Sequence, residues 1–264
     1  MSESMQGKPG LFAQVNTWLR EILQLFRKAP GKWMLLGLAH VFLFVMIPGL
    51  LGIKFISFLL LPTFLAIVMG FYRNADQGLY ADLGDLLNEV KPTFRKLLSL
   101  GAICVFYVFL INLLTADDAT RLQEFAKAEP SAEEMMAQFG PVFLKLMLLL
   151  LPLVLLIWFS PMLVAYQQYS VIRAIKSSLA AVIQYLLPLL LTWLGVTLII
   201  MLSMTLSGVL VAIVSAFSSQ VGGLLMLVLV FSCMLLASAL MFAFQYISNR
   251  DIFRVPPAVV QEEL

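Results

Sequence analysis

"FSPMLVAYQQYSVIRAIKSSL", residues 159–179, interrupts a chain that is otherwise close to continuous hydrocarbon, with Leu146 to Trp158 before it and Ala180 to Met204 after. Gln167, Gln168, Ser170, Arg173, Lys176 and Ser177 supply a polar side. Val171, Ile175, Leu179 and Val182 recur at helical spacing on the other. A helix with an apolar stripe and a basic polar face lies in a membrane interface rather than crossing it. The stretch therefore reads as an elbow helix over about 166–180 that feeds the next span, with Arg173 and Lys176 at the lipid surface.

Two further stretches share the pattern. Phe12, Val15, Leu19, Ile22 and Phe26 form one stripe, with Arg20, Glu21, Gln24 and Arg27 opposite. Leu79, Leu83, Leu86, Val90, Phe94 and Leu97 form another, with Asp82, Asp85, Glu89 and Lys96 off it. Between the elbows lie six apolar stretches, near 33–51, 55–73, 97–115, 142–165, 183–206 and 222–246. Each matches the roughly 20 residues that a membrane crossing needs. The composition agrees: 61% of the residues are apolar and 12% charged, against about 25% charged in a soluble domain. The expectation is an all-α polytopic bundle of six transmembrane helices, written as elbow, span, span three times.

The domain plan is a disordered start over 1–10, one six-span unit over 11–247 and a cytoplasmic tail over 248–264. The opening MSESMQGKPG is polar and is not followed by a short apolar core with a cleavage site, so no signal peptide is expected. Thirteen of the 17 Lys and Arg residues fall in the N-terminal segment, the link before span three, the opening stretch and the tail. Only Lys54, Arg121, Lys127 and Lys145 fall on the other side. Cytoplasmic loops carry the Lys/Arg excess, so both termini belong in the cytoplasm and the acidic segment 115–140 outside. Within that segment Ser131 before two acids marks a helix start. Pro30, Pro92 and Pro161 mark corners, because proline removes a backbone donor and crowds the preceding turn. Pro48, Gly49 and Gly52 supply the first hairpin turn.

Candidate functional residues are few. His40, the one histidine, lies inside span one, where an ionisable residue is a functional candidate. No intramembrane Asp or Glu accompanies it, so the blander reading is a neutral ring bonded to a neighbouring helix. Asn112, Gln184 and Gln245, near span ends, either line a cavity or bond between helices. The pair Ser207–Gly208 superficially resembles an intramembrane protease serine, but it has no base to accept its proton, and small residues for close helix approach are the simpler account. Ser203 to Gly208 is also the best candidate for a broken helix of the kind carriers use.

Lys145 is expected to snorkel to the outer headgroups, as is Lys54. Asp82 and Asp85 read as solvated carboxylates. Cys104, Cys233 and the 14 methionines read as apolar fillers rather than redox or copper ligands. Neither a phosphate-binding loop nor metal-ligand spacing is present. No cofactor, metal or nucleic acid is expected, and no catalytic residue is assigned.

"WLREILQLFRKAPGKW", "YADLGDLLNEVKP" and above all residues 159–179 resemble uncharacterised six-span inner-membrane proteins of proteobacteria, the YciC-like proteins. More loosely, the chain is similar to the membrane domain fused to some glycerophosphoryl diester phosphodiesterases, without their catalytic barrel. The best-matching residues are Pro161, Ser170, Ala174 and Ser177 or Ser178. The resemblance implies a bacterial inner-membrane location and this topology, and no reaction. The functional expectation is a non-enzymatic membrane protein that binds lipids, other membrane proteins or itself as a scaffold or accessory subunit. The alternative is a small transporter or channel for a lipid-like or weakly polar solute.

Overall fold

A computed structural model describes residues 10–47, 53–127 and 131–253. The Pro48–Gly49–Gly52 turn, the Lys54 side chain, Lys8, Glu129, Arg254 and residues 1–9 of the start expected to be disordered lie outside the described residues. Every regular element among those described is helical. The principal helices are α1 (Leu11–Lys28), α2 (Pro30–His40), α3 (Ile53–Asp76), α4 (Leu83–Val90) and α5 (Phe94–Ala126). They continue with α6 (Ala132–Ile157), α7 (Ser160–Tyr166), α8 (Val171–Gln184), α9 (Leu186–Phe217) and α10 (Ser219–Phe253). A π-helical turn, Val41–Met46, prolongs α2, and a 3₁₀ turn, Lys91–Thr93, joins α4 to α5. Among the described residues five segments are long and apolar enough to cross a membrane, and the first apolar helix, Pro30–Phe44, is shorter.

Local chemistry sets the boundaries. Pro30 opens α2, Pro92 sits in the 3₁₀ turn and Pro161 lies in the first turn of α7, positions where a missing N–H costs nothing. Asp82 and Asp85, expected to be merely solvated, instead form a reciprocal cap. Each carboxylate accepts the other's backbone N–H, at 2.8 and 3.1 Å, and starts α4. Ser131 and Glu134 cap α6 in the same way. The segment 115–140 holds the ends of two long helices rather than one short helix. Lys145 of α6, expected to snorkel, pairs its Nζ with Asp118 Oδ2 at 2.6 Å and donates to the Leu114 carbonyl.

The long helices form a row in which α6 packs on α5, α5 on α3, α3 on α10 and on the π turn of α2, and α10 on α2 and α9. At one end of the row α8 packs on both α6 and α9. That end carries most of the Lys and Arg and most of the core. Buried residues of α9 stop at Val196, and those of α10 are concentrated between Cys233 and Asn249. The molecule thus has a dense basic end, and its long helices run on from it with much of their apolar surface uncovered.

Two of the three stripes read from the sequence are displaced. The buried face of α1 is Trp18, Ile22 and Leu25, while Phe12 is 80% exposed. The buried face of α8 is Ala174, Ser178, Ala181 and Val182. Of the stripe read from the sequence Val182 is among them, whereas Leu179 is exposed together with Ile172 and Ile183. The reason is backbone approach: small side chains let α8 lie close to α6 and α7, and the larger branched residues are turned outward. In the second stripe Leu86, Val90 and Leu97 are buried, and Leu83 and Phe94 are exposed.

Candidate functional site

The stretch 159–179 contains a joint that its sequence pattern did not disclose. In an uninterrupted helix the Phe159 N–H would bond the Leu155 carbonyl, four residues back. Here the fully buried Ser178 hydroxyl, arriving from α8, stands between them. It accepts from Phe159 N at 3.2 Å and donates to Leu155 O at 2.9 Å. A side chain inserted into the i→i−4 ladder is a recognised cause of a helix bend, and Pro161 removes the donor that would otherwise bond Ile157. So α6 ends and α7 begins at this point. Gln245 Nε2 donates to the freed Trp158 carbonyl at 2.6 Å, tying the joint to α10.

The basic end is held by ions. Arg250, in the last turn of α10, reaches Asp76 of α3 at 2.9 Å, Glu21 of α1 at 2.5 Å and its neighbour Asp251 at 2.8 Å. Tyr246 donates its hydroxyl to the same Asp76 oxygen, and Trp18 Nε1 donates to Asp251 at 2.8 Å. Lys28 caps the C-terminus of α3 by donating to the Ala75 and Asp76 carbonyls. One arginine thus ties three helices. A second pair, Arg73–Glu89, joins α3 to α4 through two hydrogen bonds at 2.8 and 2.6 Å, and the guanidinium lies 4.3 Å from the Tyr166 ring of α7. Charge-assisted contacts of this kind are stronger than neutral hydrogen bonds, and in the Arg73 pair both come from the one Nη2 nitrogen.

The sequence-level candidates do not converge. His40 Nδ1 lies 3.2 Å from Ser238 Oγ of α10, and its ring sits among Phe44, Phe64 and Phe242 at 5.1–6.1 Å. Asn112 donates to the Val108 carbonyl of its own helix at 2.7 Å. Gln184 is exposed at the last position of α8. Among the described residues no hydrogen bond or ring contact joins these three. The Arg173 guanidinium lies 4.2 Å from the Tyr169 ring, and Lys176 is exposed.

The Ser203–Gly208 stretch is not a break. It lies inside the continuous α9, where Ser203 and Thr205 donate to carbonyls four residues back. Ser207 faces Cys233 of α10 at 3.8 Å across a cavity of about 370 Å³ lined also by Met204, Gly208 and Met226. A second groove, of about 410 Å³ and wholly apolar in its lining, runs between α3 and α5. Among the described residues no three His, Cys, Asp or Glu side chains are grouped to hold a metal.

The ionic hub was missed because each member, read singly, is an ordinary charge at a helix end or on a polar face. No local spacing relates Glu21, Asp76 and Arg250. The one available signal was their common placement on the basic side of the predicted topology. No protein-family model, curated protein or solved structure matches the chain.

Proposed function

We propose that this chain is a non-enzymatic integral protein of a bacterial inner membrane that binds membrane lipids and other membrane proteins, or a second copy of itself, as a scaffold or accessory subunit. In this reading it crosses six times, with α2 and its π turn as the short first crossing. Helices α1, α4 and α8 are the interfacial elbows, and both termini lie in the cytoplasm. The observation that carries the reading is the uncovered apolar surface beyond a rigid base. Only 11% of the apolar stretch of α6 and 6% of that of α9 is buried within the chain. Contiguous apolar faces of this size mark sites where lipid or another protein packs, and between membrane helices packing and hydrogen bonds supply the affinity. The resemblance to the YciC-like proteins supports the location.

A photo-crosslinker at Leu198, 68% exposed on α9, tests this in native membranes. The expected result is a discrete adduct with a membrane protein or lipid. Net flux of a solute through reconstituted vesicles, with no discrete adduct, would overturn it in favour of a small transporter. One feature favours that second reading: the π turn immediately after His40, a helix irregularity of a kind often placed at functional sites. The topology has its own test. A cysteine replacing Glu124 should react with an impermeant reagent on intact cells, and reaction only after permeabilisation would refute the assigned sidedness.

A further inference from the structure

The groove between α3 and α5 and Arg95 at the start of α5 lie on one helix face, with about 10 Å of helix between them. Arg95, Ser99, Ala102, Phe106 and Phe109 fall within about 40° of a single line along α5 at roughly 100° per residue. Ala102, Phe106 and Phe109 line the groove with Phe55, Ile56 and Leu59 of α3. The groove exists because Gly101 carries no side chain. A Cβ there would run into the Leu59 backbone carbonyl, so the two helices touch at that point, with the small Ala102 beside it. At about 1.5 Å per residue the groove begins roughly 10 Å and ends roughly 21 Å along the axis from Arg95. One leaflet of hydrocarbon is about 15 Å deep. An acyl chain hanging from a phosphate at Arg95 therefore ends inside the groove.

Among the described residues no ion pair compensates the charge at the head of that face. Lys91 and Arg95 are both exposed, and no acid occurs between Val90 and Ala116. The nearest acid in sequence, Glu89, is occupied by Arg73, and Asp85 is committed to its cap. Exposed Phe94 lies beside the two cations. Exposed cations at one level and an apolar groove beginning about 10 Å further along the same helix face have the layering of a phospholipid rather than of an acidic protein segment.

We infer that this face is a seat for an anionic phospholipid of the leaflet on the basic side, with its phosphate on Lys91 and Arg95 and one acyl chain in the α3–α5 groove. The inference rests on the membrane-embedded binder proposed above and names one of its ligands.

The test is native mass spectrometry of protein released from nanodiscs containing phosphatidylglycerol and phosphatidylcholine. Wild type should retain phosphatidylglycerol in preference to phosphatidylcholine. The double variant Lys91→Gln/Arg95→Gln should weaken phosphatidylglycerol retention about 30-fold, the equivalent of ~1 kcal/mol per cation, and leave phosphatidylcholine unchanged. Ala102→Trp, at an exposed position, should fill the groove and weaken retention about tenfold. Loss of phosphatidylglycerol to the same degree in Lys176→Gln would indicate diffuse surface attraction and overturn the seat. So would retention indifferent to Ala102→Trp, or loss of a co-purifying protein rather than of lipid in the double variant. A wild type that stays folded but keeps no phosphatidylglycerol overturns the inference alone, because the crosslinking at Leu198 reads a different helix and stands or falls separately.

Discussion

Arg250→Met removes the cation at the centre of the hub while keeping most of the stem that packs beside it. Three carboxylates then remain within the former reach of one guanidinium: Asp76, Glu21 and Asp251. Stripping one partner from a fully buried pair costs about 3–5 kcal/mol, and an exposed pair is worth ~0–1 kcal/mol. Arg250 is 27% exposed and its partners 24–32%, so the cost belongs between those limits, about 2 kcal/mol. Adding Asp76→Asn removes one uncompensated charge while leaving an oxygen for the Tyr246 hydroxyl, and should return about 1 kcal/mol of the loss. Reversible unfolding in mixed micelles followed by tryptophan fluorescence measures this, since Trp18 bonds Asp251 directly. If Arg250→Met unfolded within about 0.5 kcal/mol of wild type, or if the two changes simply added, the three helices would not be tied through this side chain.

Two other substitutions probe the packing. Gly101→Ala places a methyl group against the Leu59 carbonyl, a backbone atom that cannot swing away. It should destabilise the protein by about 1–3 kcal/mol in the same assay, and a neutral effect would mean that α3 and α5 are not in contact there. Ser178→Ala deprives Phe159 N–H and Leu155 O of the hydroxyl that bridges them. The expected loss is about 1 kcal/mol, moderated because the helix can partly re-form its own bond, and an unchanged melting temperature would sink the joint.

Much of the fold was readable because it rests on local rules. The Ser131 cap, the corners at Pro30, Pro92 and Pro161, and the long apolar helices follow from backbone chemistry and run length, whatever the tertiary context. Which face of an amphipathic helix turns inward was not readable on the same terms. In water the largest apolar side chains are driven inside, so a stripe of Leu and Ile marks the core. In a chain whose helices are apolar enough to cross a membrane that sorting weakens, because hydrocarbon would solvate exposed side chains such as Ile172, Leu179 and Ile183 as well as a core. Closest approach then decides, which selects Ala174, Ser178 and Ala181. The candidate site residues suffered from the opposite problem. His40, Asn112 and Gln184 were conspicuous for being polar in an apolar run, yet each finds a local resolution: a serine and aromatic rings, its own helix, or an exposed helix end.

The polar residues that organise the molecule are those gathered at the basic end of the helices. Glu21, Asp76, Glu89, Arg73 and Arg250 each close a contact between helices, and Lys28 caps a neighbouring helix across the same plane. Their partners are up to 229 residues apart in sequence. Such contacts lock α1, α3, α4 and α10 at the basic end, and the Ser178 joint locks α6, α7 and α8 beside them. Rotation of the long helices about that base is thereby restrained, so the uncovered faces of α6 and α9 and the groove on α5 are held in fixed directions. A binding surface gains from this because less orientational freedom remains to be lost when lipid or protein docks. A carrier that alternates its access needs the reverse, a base across which one bundle rocks against another. The density of ionic ties at the basic end is therefore a physical argument for a holder of lipids and proteins over a mover of solutes.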